Sequence, residues 1–455
     1  MTQSEFFAWN MEQDPILRST IVAVVVLDTT PDWERFVTMM DRATHVVPNF
    51  RHRPVRARWG IAPPHWVVDP DFDLSWHVRR LALPAPADLD AVLDVARRSA
   101  MEAFDTKHPL WHFTLLSGLG DGRAALVLKV HHSLTDGLGG VEIAGEIVDF
   151  ARGGTDRGPL PDAPRPTEVS ALSDTAEWVA ETAADLARKG TRTLASALRR
   201  AFGSPLRTVL DAGTTCAAVV RFARPVPNTL SPIMTARGLR RRLAAIDVPL
   251  EDLHTASRHA GVSVNAAFLA ALMLGMRKYH ERHRASVERL RVTVPVSLRT
   301  ESDRLGGNRI TLVRLALPVN PADDPVELMR RIGGIVETSR RDPAVPLSNA
   351  IAGALNLLPT GYLASVFEHV DVLASNVPGS PIPMFLAGAE IERYYVFGPT
   401  LGTALDATLM SHAGTCCVGI TADSASVPDL PVMTECLEDG FRAVLASAAP
   451  DLTPS

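Results

Sequence analysis

His131-His132-Ser133-Leu134-Thr135-Asp136-Gly137 is the stretch of sequence that decides the fold and the chemistry. The residues before it, 123–130, are mostly aliphatic and predict a buried strand. The residues after it, 138–149, place apolar side chains at helical spacing among three acidic ones and predict a helix. The two histidines therefore lie where a strand ends and a loop begins, which holds a side chain still and leaves it reachable.

His132 is the predicted catalytic base of this motif. An imidazole titrates near neutral pH, so it can take a proton from a hydroxyl group and return it. Adjacent strand residues point to opposite faces, so if His132 faces a cavity, His131 faces the packed side and supports it. Asp136 could hold the loop by pairing with an arginine, and Gly137 leaves room for a ligand. The alternative is a strand end followed by an ordinary Asp-Gly turn, but the complete pattern favours a functional site.

The motif resembles the HHxxxDG signature of the CoA-dependent acyltransferase superfamily. Other segments, in the same order along the chain, are similar to motifs of the bacterial wax ester synthase/diacylglycerol acyltransferases. These segments are Pro109-Leu110-Trp111, Pro295-Val296-Ser297-Leu298-Arg299, Gly307-Asn308 and Asn376-Val377-Pro378-Gly379. The resemblance extends over nearly the whole chain.

The resemblance implies an α/β fold of two chloramphenicol-acetyltransferase-like lobes, each a mixed sheet covered by helices, with the active-site tunnel between them. We expect an N-terminal lobe over residues 1–150, which carries the histidine motif. A linker with basic amphipathic helices is expected over residues 151–230, and a C-terminal lobe over residues 231–455. The alternation of strand and helix patterns in both halves also predicts an α/β fold.

The implied reaction moves a long-chain acyl group from acyl-CoA to a hydrophobic alcohol. The acceptor would be diacylglycerol, a fatty alcohol or both, with acyl-CoA as a substrate and with no cofactor or metal. Two alternatives remain. A condensation-type enzyme would take acyl groups from a carrier protein, and a non-catalytic relative would only bind lipid.

The resemblance also suggests roles for residues outside the histidine pair. Asp136 is expected to pair with Arg299, with Arg309 as the other candidate. Asn376 either offers its amide to the oxyanion or caps its own loop, and Asn265 either caps a helix or lines the pocket. Pro109, Leu110 and Trp111 are expected to pack beneath the site. Two positions depart from the family pattern: Ala266 follows Asn265 where aspartate is usual, and His112 follows Trp111 where glutamate is common.

Composition limits the class of protein. The 455 residues suggest two domains, and a formal net charge of −5 argues against a nucleic-acid partner. The four cysteines have no metal-binding spacing, and the N-terminus lacks the pattern of a signal peptide. We therefore expect reduced cysteines and a cytoplasmic protein.

Two segments raise the question of contact with lipid. Residues 188–224 are rich in arginine with apolar residues at helical spacing, which suits an anionic membrane surface. Residues 343–367 contain no charged side chain and predict two short apolar helices, Ser348–Leu358 and Thr360–His369. Both segments could equally pack on the protein itself. The sequence thus suggests peripheral association with the inner membrane or with lipid inclusions.

Overall fold

The computed structural model describes residues 1–56, 63–165, 226–297, 310–319, 324–341, 355–356, 360–399 and 401–448. The strands are β1 (Thr20–Leu27), β2 (His52–Val55), β3 (His65–Val68), β4 (Val78–Ala82), β5 (Trp111–Ser117), β6 (Ala124–His131), β7 (Arg241–Pro249), β8 (Arg289–Ser297), β9 (Ile310–Pro318), β10 (Val372–Val377), β11 (Phe385–Leu386), β12 (Ala389–Phe397), β13 (Leu405–His412) and β14 (Thr415–Asp423). The helices are α1 (Gln3–Met11), α2 (Trp33–Val46), α3 (Leu74–His77), α4 (Leu89–Met101), α5 (Gly137–Ile147), α6 (Leu250–Ala260), α7 (Val264–Arg282), α8 (Pro325–Arg340), α9 (Thr360–Phe367) and α10 (Leu430–Ala446).

Two six-stranded mixed sheets form the two lobes, which confirms the predicted α/β class. The first sheet has the order β11-β12-β1-β6-β5-β4, and only its β4–β5 pair is parallel. The second has the order β7-β14-β13-β10-β8-β9, in which β10 runs parallel to both neighbours. β1 is apolar along its length because helices cover both of its faces: α2 and α5 lie on one side, and α4 lies on the other.

A segment from the second half of the chain belongs to the first sheet. β12 pairs antiparallel with β1, with Val22 opposite Phe397, and β11 continues the sheet beyond β12. The predicted C-terminal lobe over residues 231–455 is therefore wrong for residues 385–397. Sequence patterns locate strands, but they do not show which sheet a strand joins, because pairing partners are distant along the chain.

The predicted connection over residues 151–230 is described only in part. Residues 151–165 run against α2, where the Arg42 guanidinium donates to the carbonyl oxygens of Gly158 and Pro159 at 3.2 Å each. Residues 166–225, which include the arginine-rich segment 188–224, lie outside the described residues. The predicted helix Ser348–Leu358 also lies outside them apart from residues 355–356, whereas α9 confirms the second predicted apolar helix.

Helix α7 forms the centre of the second lobe and packs against α10. Side chains from Ala266 to Met273 are fully buried there. The two helices meet at Gly275 and Gly440, and a Cβ placed at Gly440 would lie 2.6 Å from the backbone nitrogen of Gly275. Glycine is needed here because only a residue without a side chain lets the helix backbones approach so closely.

No single helix in the described part of the chain is long and apolar enough to cross a membrane. One pair of helices, α6 and α7, passes the length and composition test only when combined, and the pair is bent by 97°.

Candidate active site

The histidine motif lies at the end of β6, as the sequence predicts. His131 is the last residue of β6, and the backbone N–H of His132 donates to the carbonyl oxygen of Ser19 at 2.9 Å. The chain then turns, and Asp136 begins α5 by accepting a hydrogen bond from the backbone N–H of Gly139 at 2.8 Å. Strand pairing before the motif and a helix cap after it therefore fix the loop.

His131 is a buried supporting residue. Its Nδ1 accepts a hydrogen bond from the backbone N–H of Ser133 at 3.0 Å, and its Nε2 lies 3.4 Å from Oε2 of Glu12. The rings of Trp9 and Phe104 meet it edge-on. Because Nδ1 accepts, the proton of the neutral ring belongs on Nε2, where it faces the Glu12 carboxylate. His131 therefore ties the end of the strand to the turn after α1.

His132 lines a cavity on the opposite face of the sheet, which confirms the placement expected from strand alternation. Burial lowers the pKa of His132 below its ordinary value of 6.5. Hydrogen bonds to the backbone at His132 itself and at Thr135, and the charge of Asp136, act against this shift. The imidazole is therefore neutral at pH 7, which is the state that can accept a proton.

The cavity has a volume of about 240 Å³ and is mainly apolar. One wall is the face of the first sheet, where alternate residues of β1 and β6 point inward. The residues on this wall are Ile21, Ala23, Val25, Leu126, Leu128 and Val130. α5 forms the facing wall, and β10, β12 and β13 close the side toward the second lobe. The cavity thus lies between the two lobes, with His132 in its wall.

Gly137 lies where the two lobes touch. It lines the cavity, and a Cβ there would lie 2.9 Å from Cγ2 of Val377 in the second lobe. The sequence predicts that this glycine makes room for a ligand. The structure adds that it also makes room for Val377.

Asn376 and Asn265 do not reach the cavity. Ser375 and Val377 line it, so Asn376 between them points to the other face of β10. This orientation does not support the predicted contact of its amide with the oxyanion, and the role of Asn376 stays a prediction. The cap of α7 is Ser263, whose side chain accepts from the backbone N–H of Ala266, and Asn265 is not among the residues that line the cavity. The expected cap role of Asn265 is therefore wrong, because the cap lies two residues earlier, and its role as a pocket residue stays a prediction.

Pro109, Leu110 and Trp111 lie beneath the motif, as predicted. The carbonyl oxygen of Leu110 accepts the N–H of His131 at 3.0 Å. Trp111 is fully buried, stacks on Phe50 and donates its indole N–H to the carbonyl oxygen of Phe50 at 2.9 Å. His112 is not among the residues that line the cavity. Arg299 and Arg309 lie outside the described residues, so the pairing with Asp136 stays a prediction.

Ser19 and Glu12 are site residues that the sequence motifs do not predict. Glu12 accepts the backbone N–H of Ser19 at 2.8 Å, in addition to its contact with His131. Ser19 lines the cavity next to His132. Strand alternation could have indicated Ser19, since it precedes Ile21, Ala23 and Val25 on the face that forms the wall.

The two-lobed fold is shared with two solved structures. The wax ester synthase/diacylglycerol acyltransferase from Marinobacter aquaeolei VT8 aligns over 98% of each chain with a TM-score of 0.64 and 21% identity. The first condensation domain of the calcium-dependent antibiotic synthetase aligns over 99% of this chain and 96% of its own, with a TM-score of 0.64 and 15% identity. These structures define the class by its fold, which has two lobes, each built on a mixed sheet.

The family follows from the sequence comparisons. The wax ester synthase/diacylglycerol acyltransferase catalytic domain matches residues 4–268, and the WS/DGAT C-terminal domain matches residues 306–444. A Mycobacterium tuberculosis protein named as a diacylglycerol O-acyltransferase is 39% identical over 98% of this chain and 92% of its own length. A second from that species, named tgs2, is 30% identical over 87% of this chain and 86% of its own length. The chain therefore belongs to the wax ester synthase/diacylglycerol acyltransferase family.

Proposed function

We propose that the protein transfers a long-chain acyl group from acyl-CoA to a hydrophobic alcohol, with His132 as the general base. The observation that carries this proposal is the placement of a neutral, half-buried imidazole in the wall of a mainly apolar cavity that residues of both lobes line. The acceptor is diacylglycerol, which gives triacylglycerol, or a fatty alcohol, which gives a wax ester. Diacylglycerol and wax ester both appear in the names of the relatives.

The size and lining of the cavity support a long-chain substrate. The wall from Ser19 to Val25 extends about 20 Å at a strand rise of about 3.3 Å per residue. One leaflet of a bilayer core, which holds one acyl chain, is about 15 Å thick. The apolar lining also matches a hydrocarbon chain, because it offers few partners to a polar ligand.

In the proposed reaction His132 takes the proton of the alcohol hydroxyl while the alcohol oxygen bonds to the thioester carbonyl carbon. The tetrahedral intermediate then breaks its carbon–sulfur bond, and the CoA thiolate leaves with the proton returned by His132. No acyl-enzyme is required if both substrates are held together. The sequence also contains no GxSxG motif that would supply a serine nucleophile.

Other residues of the motif position this base. His131 and Glu12 hold the end of β6, and Asp136 fixes the loop as the cap of α5. We propose that Asp136 also pairs with Arg299, and that Gly137 admits the reacting end of the substrate. CoA enters as a substrate, and the proposed chemistry uses no further cofactor and no metal.

We also propose peripheral contact with a membrane or lipid inclusion on the cytoplasmic side. Diacylglycerol and fatty alcohols partition into lipid, and the arginine-rich residues 188–224 suit an anionic surface. Co-sedimentation with vesicles that contain anionic lipid tests this contact. We expect binding that weakens as salt concentration rises, and no sedimentation at low salt would contradict it.

The activity is tested by CoA release from palmitoyl-CoA with the purified protein, with dioleoylglycerol or hexadecanol as acceptor and extraction of the ester product. CoA release with either acceptor and formation of the matching ester supports the proposal. Turnover only with a carrier-bound acyl group would show a condensation-type enzyme instead. Binding of palmitoyl-CoA without turnover with any acceptor would show a non-catalytic relative.

A further inference from the structure

The Ser19 hydroxyl is a buried polar group without a protein partner in the described part of the chain. Only 2% of the residue is exposed, and its backbone is fixed on both sides. The N–H donates to Glu12 at 2.8 Å, and the carbonyl oxygen accepts from the N–H of His132 at 2.9 Å. A buried hydroxyl that makes no hydrogen bond costs stability, so an orphaned one beside a reaction site suggests that a ligand supplies the partner.

The strand register places Ser19 next to His132. Thr20 is paired with His131, so the next pair outward joins Ser19 and His132. Side chains directly opposite in an antiparallel pair lie on the same face, with their Cβ atoms about 5 Å apart. Both residues line the cavity. A group bound to the His132 ring is therefore within reach of the Ser19 hydroxyl.

The proposed reaction needs a hydrogen-bond donor at this position. Attack on the thioester turns the carbonyl oxygen into an oxyanion, and enzymes stabilise it with donors placed in advance. Asn376 is turned away from the cavity. Thr135 also lines the cavity, but its hydroxyl donates to the carbonyl oxygen of Asp136 at 3.0 Å. Neither of these side chains offers the donor, whereas Ser19 does.

We propose that Ser19 is a further catalytic residue, whose hydroxyl donates a hydrogen bond to the oxyanion of the tetrahedral intermediate. This inference rests on the proposed function. The alcohol proton goes to His132, and the electron pair of the carbonyl π bond moves onto oxygen. The Ser19 O–H donates a hydrogen bond to the oxyanion that results. When the carbonyl re-forms, the carbon–sulfur bond breaks and the CoA thiolate leaves with the proton from His132. The Ser19 proton stays on Ser19 throughout.

Thr20 provides a matched control. Its hydroxyl is also buried and without a partner, but it lies on the opposite face of β1 and does not line the cavity. Ser19→Ala and Thr20→Val each remove one such hydroxyl and keep every backbone hydrogen bond. Ser19→Cys keeps the size of the side chain with a weaker donor.

The experiment measures kcat and KM for CoA release by the full-length wild type, Ser19→Ala, Ser19→Cys, Thr20→Val and His132→Ala. For Ser19→Ala we expect kcat to fall about 100-fold with KM within twofold, as for removal of other oxyanion donors. Ser19→Cys should also lose at least tenfold in kcat, and Thr20→Val should stay within twofold of wild type. The acid midpoint of the pH profile should not move in Ser19→Ala, because a donor to the oxyanion does not act through His132.

Ser19→Ala with kcat within threefold of wild type, or with a shifted acid midpoint, would overturn the role of Ser19. An equal loss in Thr20→Val would overturn it too, because that loss would reflect damage to the strand. His132→Ala separates the two proposals: if it keeps activity, the base assignment fails whatever Ser19 does. If only His132→Ala is inactive, the Ser19 proposal fails alone.

Discussion

The two lobes have similar sheets and covering helices but differ in how these elements pack. Each has a six-stranded mixed sheet covered by helices. In the second lobe, α7 and α10 pack against each other at Gly275 and Gly440, and their buried side chains belong to one hydrophobic core. In the first lobe, the cavity that His132 lines lies between the sheet face and α5.

Small residues produce both the close helix contact of the second lobe and the cavity beside the first sheet. Gly275 and Gly440 let helix backbones approach, whereas Ala23 and Ala144 leave space between a strand and a helix. The difference teaches that one lobe supplies rigid packing and the other supplies room for a substrate. The predictions below test whether this division is real.

The largest expected effect is a loss of stability where α7 packs against α10 at Gly275 and Gly440. Gly440→Val should destabilise the protein by more than about 4 kcal/mol, because even a Cβ would lie 2.1 Å from the carbonyl oxygen of Ala271. Gly334→Ala is the control, since this helical glycine has no atom within 4 Å of an added Cβ. It should stabilise by about 0.5 to 1 kcal/mol. Equal melting temperatures for the two variants would contradict the need for glycine where α7 and α10 meet.

The next effect concerns the cavity beside the sheet of the first lobe. Ala23→Phe places a ring in the cavity part-way along β1, so turnover of long-chain acyl-CoA or of a long alcohol should fall between about 10- and 100-fold. Short-chain pairs should keep most of their rate, because they stop before Ala23. A rate series over chain lengths measures this. A loss that is the same at every length would show that this wall does not hold the chain.

Two buried aspartates of the second sheet should respond oppositely to the same substitution. Asp423 pairs with Arg241 at 3.0 Å, whereas no described cation pairs with Asp406, and burial raises the pKa of Asp406 to about 8. Folded Asp406 thus keeps a proton that the unfolded chain loses near pH 4, so its burial costs stability increasingly from pH 4 to about 8. Asp406→Asn should stabilise by about 1 to 3 kcal/mol at pH 8 and not at pH 4.

Asp423→Asn is the matched control. It leaves the buried Arg241 guanidinium without its carboxylate and should destabilise by about 3 kcal/mol at pH 8. Chemical denaturation at the two pH values measures both variants. If Asp406→Asn is destabilising at pH 8, the carboxyl group has a partner that stabilises its charge.

The smallest effect lies in the pH profile. Burial lowers the pKa of His132 below 6.5, and a base acts only when neutral. The acid midpoint of the rate should therefore lie below pH 6.5. An acid midpoint above 6.5 in kcat/KM would contradict either the burial of this imidazole or its role.

Local pattern predicted the parts of the site that depend on neighbouring residues. Alternation along β6 placed His132 on the cavity face and His131 on the packed face, and the apolar runs gave β1 and β5. Local pattern did not predict which face of β10 carries Asn376, because an error of one residue in the register of the strand turns a side chain to the other face. Nor could it show that β12 crosses to the first sheet, since that pairing joins residues far apart in sequence.

We infer that the histidine facing the cavity performs the chemistry and that its neighbour holds the strand. The most direct test compares CoA release and melting temperature of His132→Ala and His131→Ala. The account predicts that His132→Ala loses at least 1,000-fold in kcat with an unchanged melting temperature, and that His131→Ala melts several degrees lower. Turnover by His132→Ala within tenfold of wild type would contradict it.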